Sequence, residues 1–285
     1  MNRREFLQFL AAGYAAGILR PSLASNSVNY NFKSFGNLRL IHFTDTHAQL
    51  DPMYFREPNY NLGVGINRNK PPHIVGEKLL DYYSINNPLL KHAFTYIDFN
   101  RHAQEFGKFG GYAYLKTVID TLKNQVEDNA LLLDGGDTWQ GSGLSLLENG
   151  KDMVEASNML GVDVMTGHWE FTLGEKSFLD NIKNFKGDFV AQNIKLTEEA
   201  MFDGMEPIDD QNHFQKPYVV KIINGIRVAV IGQAFPYTPI ANPRRFIPNL
   251  TFGIRDMELQ TLINKIKEKE KPSLIVLLSH NGIDV

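Results

Sequence analysis

Four short stretches hold side chains able to do chemistry, and each follows an apolar run. Asp45-Thr46-His47 comes after "LRLIHF", Gly135-Gly136-Asp137 after "ALLLD", Gly167-His168-Trp169-Glu170 after "VDVMT", and Ser279-His280-Asn281 ends "SLIVLLS". Carboxylates and imidazoles of this kind are oxygen and nitrogen donors able to ligate a metal ion or to move a proton. The 285 residues include no cysteine, so thiolate ligands, a cysteine nucleophile and disulfides are excluded. Any metal must therefore be held by oxygen and imidazole donors, which favours hard or borderline ions. Taken singly, each stretch also has a plain reading. A D-x-H arises by chance, Asp137 fits a helix cap, and His280 fits a hydrogen-bonded core histidine. Their order along the chain argues for one shared site.

The elements that must position these residues alternate in type. Residues 38–43, 130–134, 162–166, 189–194, 227–233 and 273–279 read as strands. Residues 111–125, 152–160 and 256–270 have the spacing of amphipathic helices, and Asn224-Gly225 sits between two β-rich runs as a hairpin turn. Strands and helices in turn predict an α/β layered fold. Ligands in open α/β folds bind beyond the carboxyl ends of the strands. That rule brings Asp45, His47, Asp134, Asp137, His168, Glu170, Gln192, Asn193 and His280 to one rim. His42, inside a strand, is expected in the core. His73, His92, His102 and His213 are assigned surface or loop places.

Residues 51 to about 108 show little sustained period, and a stretch that long suggests a lid or binding loop. Within it "GEKLLDYY" and "HAQEF" are candidate helices. Tyr54, Phe55 and Tyr60 suit either a groove for a substrate or ordinary loop packing. Arg244 and Arg245 suit either contact with a tetrahedral oxyanion or a solvated loop pair. A net charge of −3 argues against nucleic-acid binding by bulk electrostatics. At the N-terminus, Arg3 and Arg4 precede Phe6 and Leu7, a short apolar run and "PSLAS". This reads as a twin-arginine export signal over residues 1–24, too short to span a bilayer comfortably. The expected destination is the periplasm, with no membrane attachment after cleavage.

The ordered D-x-H, G-G-D, G-H-x-E and S-H motifs resemble the two-metal phosphoesterase family, in particular its secreted 5′-nucleotidase branch. The resemblance implies a layered metallophosphoesterase-type sandwich over residues 25–285, with helices packed on mixed β-sheets. It also implies that Asp45 and His47 bind one ion, Asp137 bridges both, and His168 and His280 serve the other. Trp169 falls where the family has a non-ligand histidine that assists the leaving alkoxide, and indole cannot act as a general acid. Together with Asp137 and Glu170 it makes up the expected catalytic set. Asn193, Arg244 and Arg245 are the candidate substrate contacts.

A narrower resemblance rests on "YFREPNYNLGVG", "PPHIVGEKLL", "AFTYIDF", "EFGKFGGYAYLKTVID", "GGDTWQGSG", "GHWEFTLG" and "QAFPYTPIANPRRF". These look like the SoxB thiosulfohydrolases of bacterial sulfur oxidation, from about residue 38 onward. That family implies a periplasmic dimanganese hydrolase; zinc suits the same ligands. Its members release sulfate from an S-sulfonated cysteine on the carrier protein SoxYZ. The family's G-H-x-H and C-terminal domain have no counterpart here, so the expectation is a C-terminally truncated domain of weak or no activity by itself. The rival expectations are a periplasmic 5′-nucleotidase or cyclic-nucleotide phosphodiesterase, and a noncatalytic carrier-binding relic.

Overall fold

The computed structural model describes residues 36–54, 63–71, 73–126 and 129–281. The export signal, Phe55 and Tyr60 lie outside the described residues. Among the described residues no helix is long and apolar enough to cross a membrane. The chain divides into two compact units. Among the described residues, one comprises those within 51–111, the other those within 36–50 and 112–281.

The larger unit carries two sheets. The first has four parallel strands in the order β1 (Arg39–Phe43), β2 (Ala130–Asp134), β3 (Val164–Met165) and β4 (Asp188–Phe189). Strand β2 is buried along its whole length, as a central parallel strand covered on both faces must be. Its residues alternate between two cores. Leu131 and Leu133 pack with Val164, Val219, Val228 and Val230 between the sheets, whereas Leu132 faces Ile119, Met153 and Val154 of helices Tyr112–Asn124 and Lys151–Leu160.

The second sheet joins β6 (Tyr218–Ile223) antiparallel to β7 (Ile226–Gln233), and β7 parallel to β9 (Leu274–Ser279). Its outer face is covered by helix Asp256–Lys269 through Ile266 against Ala229 and Ile231. That helix carries Asp256 and Glu258 in its first turn and Lys267 and Lys269 in its last, charges that complement the helix dipole. The result is helices, sheet, sheet, helix: the layered α/β sandwich expected. The β6–β7 turn has φ of 48° at Asn224 and 76° at Gly225, which the twist of a two-residue hairpin turn demands. A further short pair, β5 (Lys195–Leu196) with β8 (Leu250–Thr251), is antiparallel.

Residues 189–194 correct the sequence reading. The last bond to the first sheet runs from Val190 N–H to the Met165 carbonyl at 2.8 Å, and the backbone then turns to other partners. Ala191 N–H donates to the Lys216 carbonyl at 2.9 Å and Gln192 N–H to that of Gly232 at 2.8 Å. This stretch thus crosses from one sheet to the other. Gly232 permits the crossing, since a Cβ there would stand 1.9 Å from the Val190 carbonyl oxygen.

The smaller unit is also more ordered than its weak periodicity suggests. Helices Glu77–Tyr83 and Pro88–Phe94 pack Leu80, Tyr83, Leu90 and Phe94 around Ile74, Leu79 and Ile85, and a third helix, Phe99–Phe106, follows them. Met53 and Phe109 exchange two backbone hydrogen bonds, of 2.9 and 2.7 Å, at its chain entry and exit. Tyr54 is exposed there, with the Lys108 ammonium 5.6 Å from its ring centre. His102 is buried in the third helix, contrary to the surface place expected for it. His213, in the larger unit, is buried too, held at 2.7 Å by the Asp209 carboxylate.

Candidate metal centre

The loops leaving β1 and β2 stay laced together beyond the sheet. Asp45 N–H donates to the Gly136 carbonyl at 3.0 Å, and His47 N–H to that of Asp137 at 3.0 Å. To present their side chains at one point these loops take backbone that L-residues seldom adopt: φ is 55° at Asp45, 49° at His47 and 61° at Asp137. Left-handed conformations at three candidate ligands are the kind of strain that gathers at functional sites. Gly141 lets the loops close, because a Cβ there would lie 2.5 Å from the His47 carbonyl oxygen.

The structure brings the predicted ligands together. One donor atom from each of Asp45, Asp137, His168 and His280 lies within 4.8 Å of all the others. His47 Nε2 is 3.4 Å from Asp137 Oδ2 and 3.8 Å from Asp45 Oδ1. Asp137 is the hub: the same Oδ2 is 2.8 Å from His168 Nδ1, and Oδ1 accepts from the Gln140 amide. Burial alone would raise the Asp137 pKa. The hydrogen bond and charge of His168, the charge of His47 and the hydrogen bond from Gln140 outweigh it and hold the carboxyl below its usual range. The imidazoles of His168 and His280 are stacked, 4.1 Å between ring centres.

The orientation of His280 is set from behind. Its Nδ1 donates to the Gly135 carbonyl at 2.7 Å, which leaves the Nε2 lone pair toward Asp45 Oδ1, 3.8 Å away. This outer hydrogen bond fixes the tautomer that a metal-binding imidazole needs. Oxygen and imidazole donors, no thiolate, and a central carboxylate with both oxygens facing partners fit a pair of hard or borderline divalent ions.

Glu170 stands behind the cluster instead of in it. It is fully buried; Oε1 accepts Thr138 N–H at 2.7 Å and Trp139 N–H at 3.3 Å, and Oε2 accepts His168 N–H at 2.7 Å. One carboxylate thus ties the Asp137 loop to the His168 loop. This replaces the expected direct part in the chemistry with a positioning one, since both oxygens are engaged by backbone. Below it, Asp134 is wholly buried. Burial pushes its pKa up to about 8, with the Glu170 charge adding and hydrogen bonds from Gly136 N–H and the Thr138 hydroxyl opposing.

Trp169 is partly exposed, its ring centre 5.3 Å from that of His168. Asn193, by contrast, offers nothing to a substrate. Its amide donates to the Ala234 and Gly253 carbonyls at 2.7 and 2.9 Å, and its oxygen accepts Ala234 N–H at 2.9 Å, so it is a buried brace. Arg244 faces Glu199 at 3.9 Å, and Arg245 lies over Phe246 at 4.6 Å.

Three neighbours were not marked by the sequence. Thr44 donates to Asp45 Oδ2 at 2.6 Å, and Gln140 donates to Asp137. His42 is exposed on β1, not in the core, with Nε2 2.8 Å from where a Gly135 Cβ would stand. The signal for Gln140 was its place three residues after Asp137. His42 carried none, because its neighbours Ile41 and Phe43 are apolar.

No family model matches the chain. The 5′-nucleotidase of Rattus norvegicus is 30% identical over 180 residues, 62% of this chain and 29% of the relative. That of Vibrio vulnificus is 30% identical over 198 residues, 66% of this chain and 34% of the relative. Among solved structures, the Thermus thermophilus sulfate thiohydrolase SoxB in complex with glycerol matches with a TM-score of 0.71 at 33% identity, over 89% of this chain and 45% of that one. The calcineurin-like phosphoesterase YfkN of Bacillus subtilis shares the fold, with a TM-score of 0.54 at 21% identity over 86% of this chain and 62% of that one. The chain spans about a third of the length of these curated relatives.

Proposed function

We propose, from the premise that this chain belongs to the 5′-nucleotidase/metallophosphoesterase superfamily of dinuclear metal hydrolases, that it releases sulfate from an S-sulfonated cysteine. The substrate in this reading is borne by a sulfur-carrier protein of the SoxYZ kind, met in the periplasm after twin-arginine export. Manganese is the proposed metal, and Asp45, His47, Asp137, His168 and His280 are the residues that would hold it.

When bound, such ions neutralise a tetrahedral anion and acidify a coordinated water. The chain's own residues do the rest. Asp137 carries the central negative charge, the Gly135 carbonyl keeps the His280 Nε2 lone pair toward the cluster, and Glu170 holds two ligand loops in register.

The observation that carries the choice of substrate is Trp169 beside His168. A phosphate ester expels a basic alkoxide that benefits from a proton donor at this place. A thiosulfonate linkage expels a far less basic sulfur anion, so an indole in place of an acid costs nothing. The full-length, manganese-loaded protein should release sulfate from the S-sulfonated carrier and no phosphate from AMP. Phosphate alone would favour the 5′-nucleotidase reading, which the identity to the rat and Vibrio enzymes supports. Neither product would favour a noncatalytic carrier-binding protein. Trp169→His should leave thiosulfonate turnover level or lower, and a large gain would contradict the rationale.

A further inference from the structure

The loop after β7 is stitched to both histidine loops. Phe235 N–H donates to the Gly167 carbonyl at 3.1 Å, and the Gln233 carbonyl accepts His280 N–H at 3.0 Å. The half-buried Phe235 ring is thereby set edge-on to the two ligand imidazoles. Ring centres are 4.5 Å apart with His168, at 76° between planes, and 6.3 Å with His280, at 83°. Tyr237 continues the surface outward, 5.9 Å from Phe235 and exposed. Trp169 meets His168 as well. The aromatic rings that contact the cluster's imidazoles carry no acid to protonate a leaving group.

We propose that Phe235 and Tyr237, with Trp169, form the wall along which the leaving sulfur and its chain lie, and that this wall sets specificity for the leaving group. The inference rests on the thiosulfonate reading and names the part of the substrate these rings recognise. In the step concerned, the water oxygen bonds to the sulfonate sulfur and the sulfur–sulfur bond breaks. Its electron pair leaves on the cysteine sulfur as a thiolate, and both water protons pass to solvent. A thiolate, with a pKa near about 8.5, needs no proton to depart, and polarisable sulfur packs well against aromatic rings. Departure of the sulfur therefore does not call on the Tyr237 hydroxyl for a proton, and the rings serve it by contact alone.

The test is calorimetric binding of two probes to the manganese-loaded protein: a short peptide with one S-sulfonated cysteine, and inorganic sulfate. The peptide should bind more tightly than sulfate. Tyr237→Ser should weaken the peptide by about tenfold and leave sulfate unchanged, and Phe235→Leu should weaken the peptide more than sulfate. Tyr237→Phe should retain the native preference, since the ring and not the hydroxyl makes the wall. Equal binding of the two probes by the native protein overturns the proposal, as does a parallel loss for both probes in Tyr237→Ser, or no loss at all. If the native protein releases phosphate from AMP and no sulfate from the carrier, the functional reading falls. The two-probe comparison still decides the wall by itself.

Discussion

On one side of the cluster the side chains of Asp137 and His168 are largely covered, 3% and 15% exposed. Glu170 accepts three backbone N–H groups from their two loops. On the other side Asp45 and His47 are about half exposed in their side chains, 47% and 55%, and their loop is held chiefly by backbone bonds to residues 136–138. The buried half is thus assembled by folding alone. The open half is left for metal and solvent to complete. Preorganisation where charge must be held, and access where water and anion must enter, are the two demands a hydrolytic metal site makes.

The sharpest way to break this contrast is Asp137→Asn. It removes the shared charge from the hub, and metal affinity by isothermal titration should fall by more than about 100-fold, with activity falling in step. Survival of tight binding would deny the hub role.

Glu170→Gln against Asp45→Asn comes next. Glu170→Gln sets an amide NH2 against buried N–H groups, which should destabilise the metal-free protein by about 2–4 kcal/mol and lower metal affinity about 10- to 100-fold. Asp45→Asn should weaken metal binding to a similar degree while leaving the thermal midpoint within about 2 °C of the parent. Equal melting shifts for the two variants would erase the distinction between the halves.

A last effect is one of pH and concerns Asp134. Its folded pKa of about 8 stands above the unfolded 3.8, so the folded state holds the extra proton between those values. Stability is then fully present below about pH 4 and is lost as pH rises toward 8. Asp134→Asn, which resembles the protonated acid, should flatten this decline when denaturant midpoints are compared at pH 5.5 and 8. An unchanged slope would assign the alkaline loss elsewhere.

Much of the site was legible because its residues sit just past strand ends, beside glycines that mark turns. His47, Asp137, His168 and His280 could be placed on one rim from strand direction alone. The brace Asn193 was misread for the same reason. It too follows an apolar run, and nothing in its neighbours says that its amide will be consumed by Ala234 and Gly253, 41 and 60 residues away. His42 was placed in the core by the apolar residues around it, though a strand turns alternate side chains to opposite faces. The crossing at residues 190–192 was equally hidden, since Val190 and Ala191 are as apolar as any strand residue and only their partners differ.

Local information in the chain was enough to specify the αβ alternation, the hairpin at Asn224-Gly225 and the kinds of donor available, because period, turn chemistry and side-chain type act within a few residues. Which donors meet, which are spent as braces, and which ring stands beside which imidazole were decided by long-range packing. Contacts such as Gly135 to His280 and Glu170 to Thr138 join segments whose sequences carry no mark of each other, and only the closed sandwich brings them within hydrogen-bonding distance.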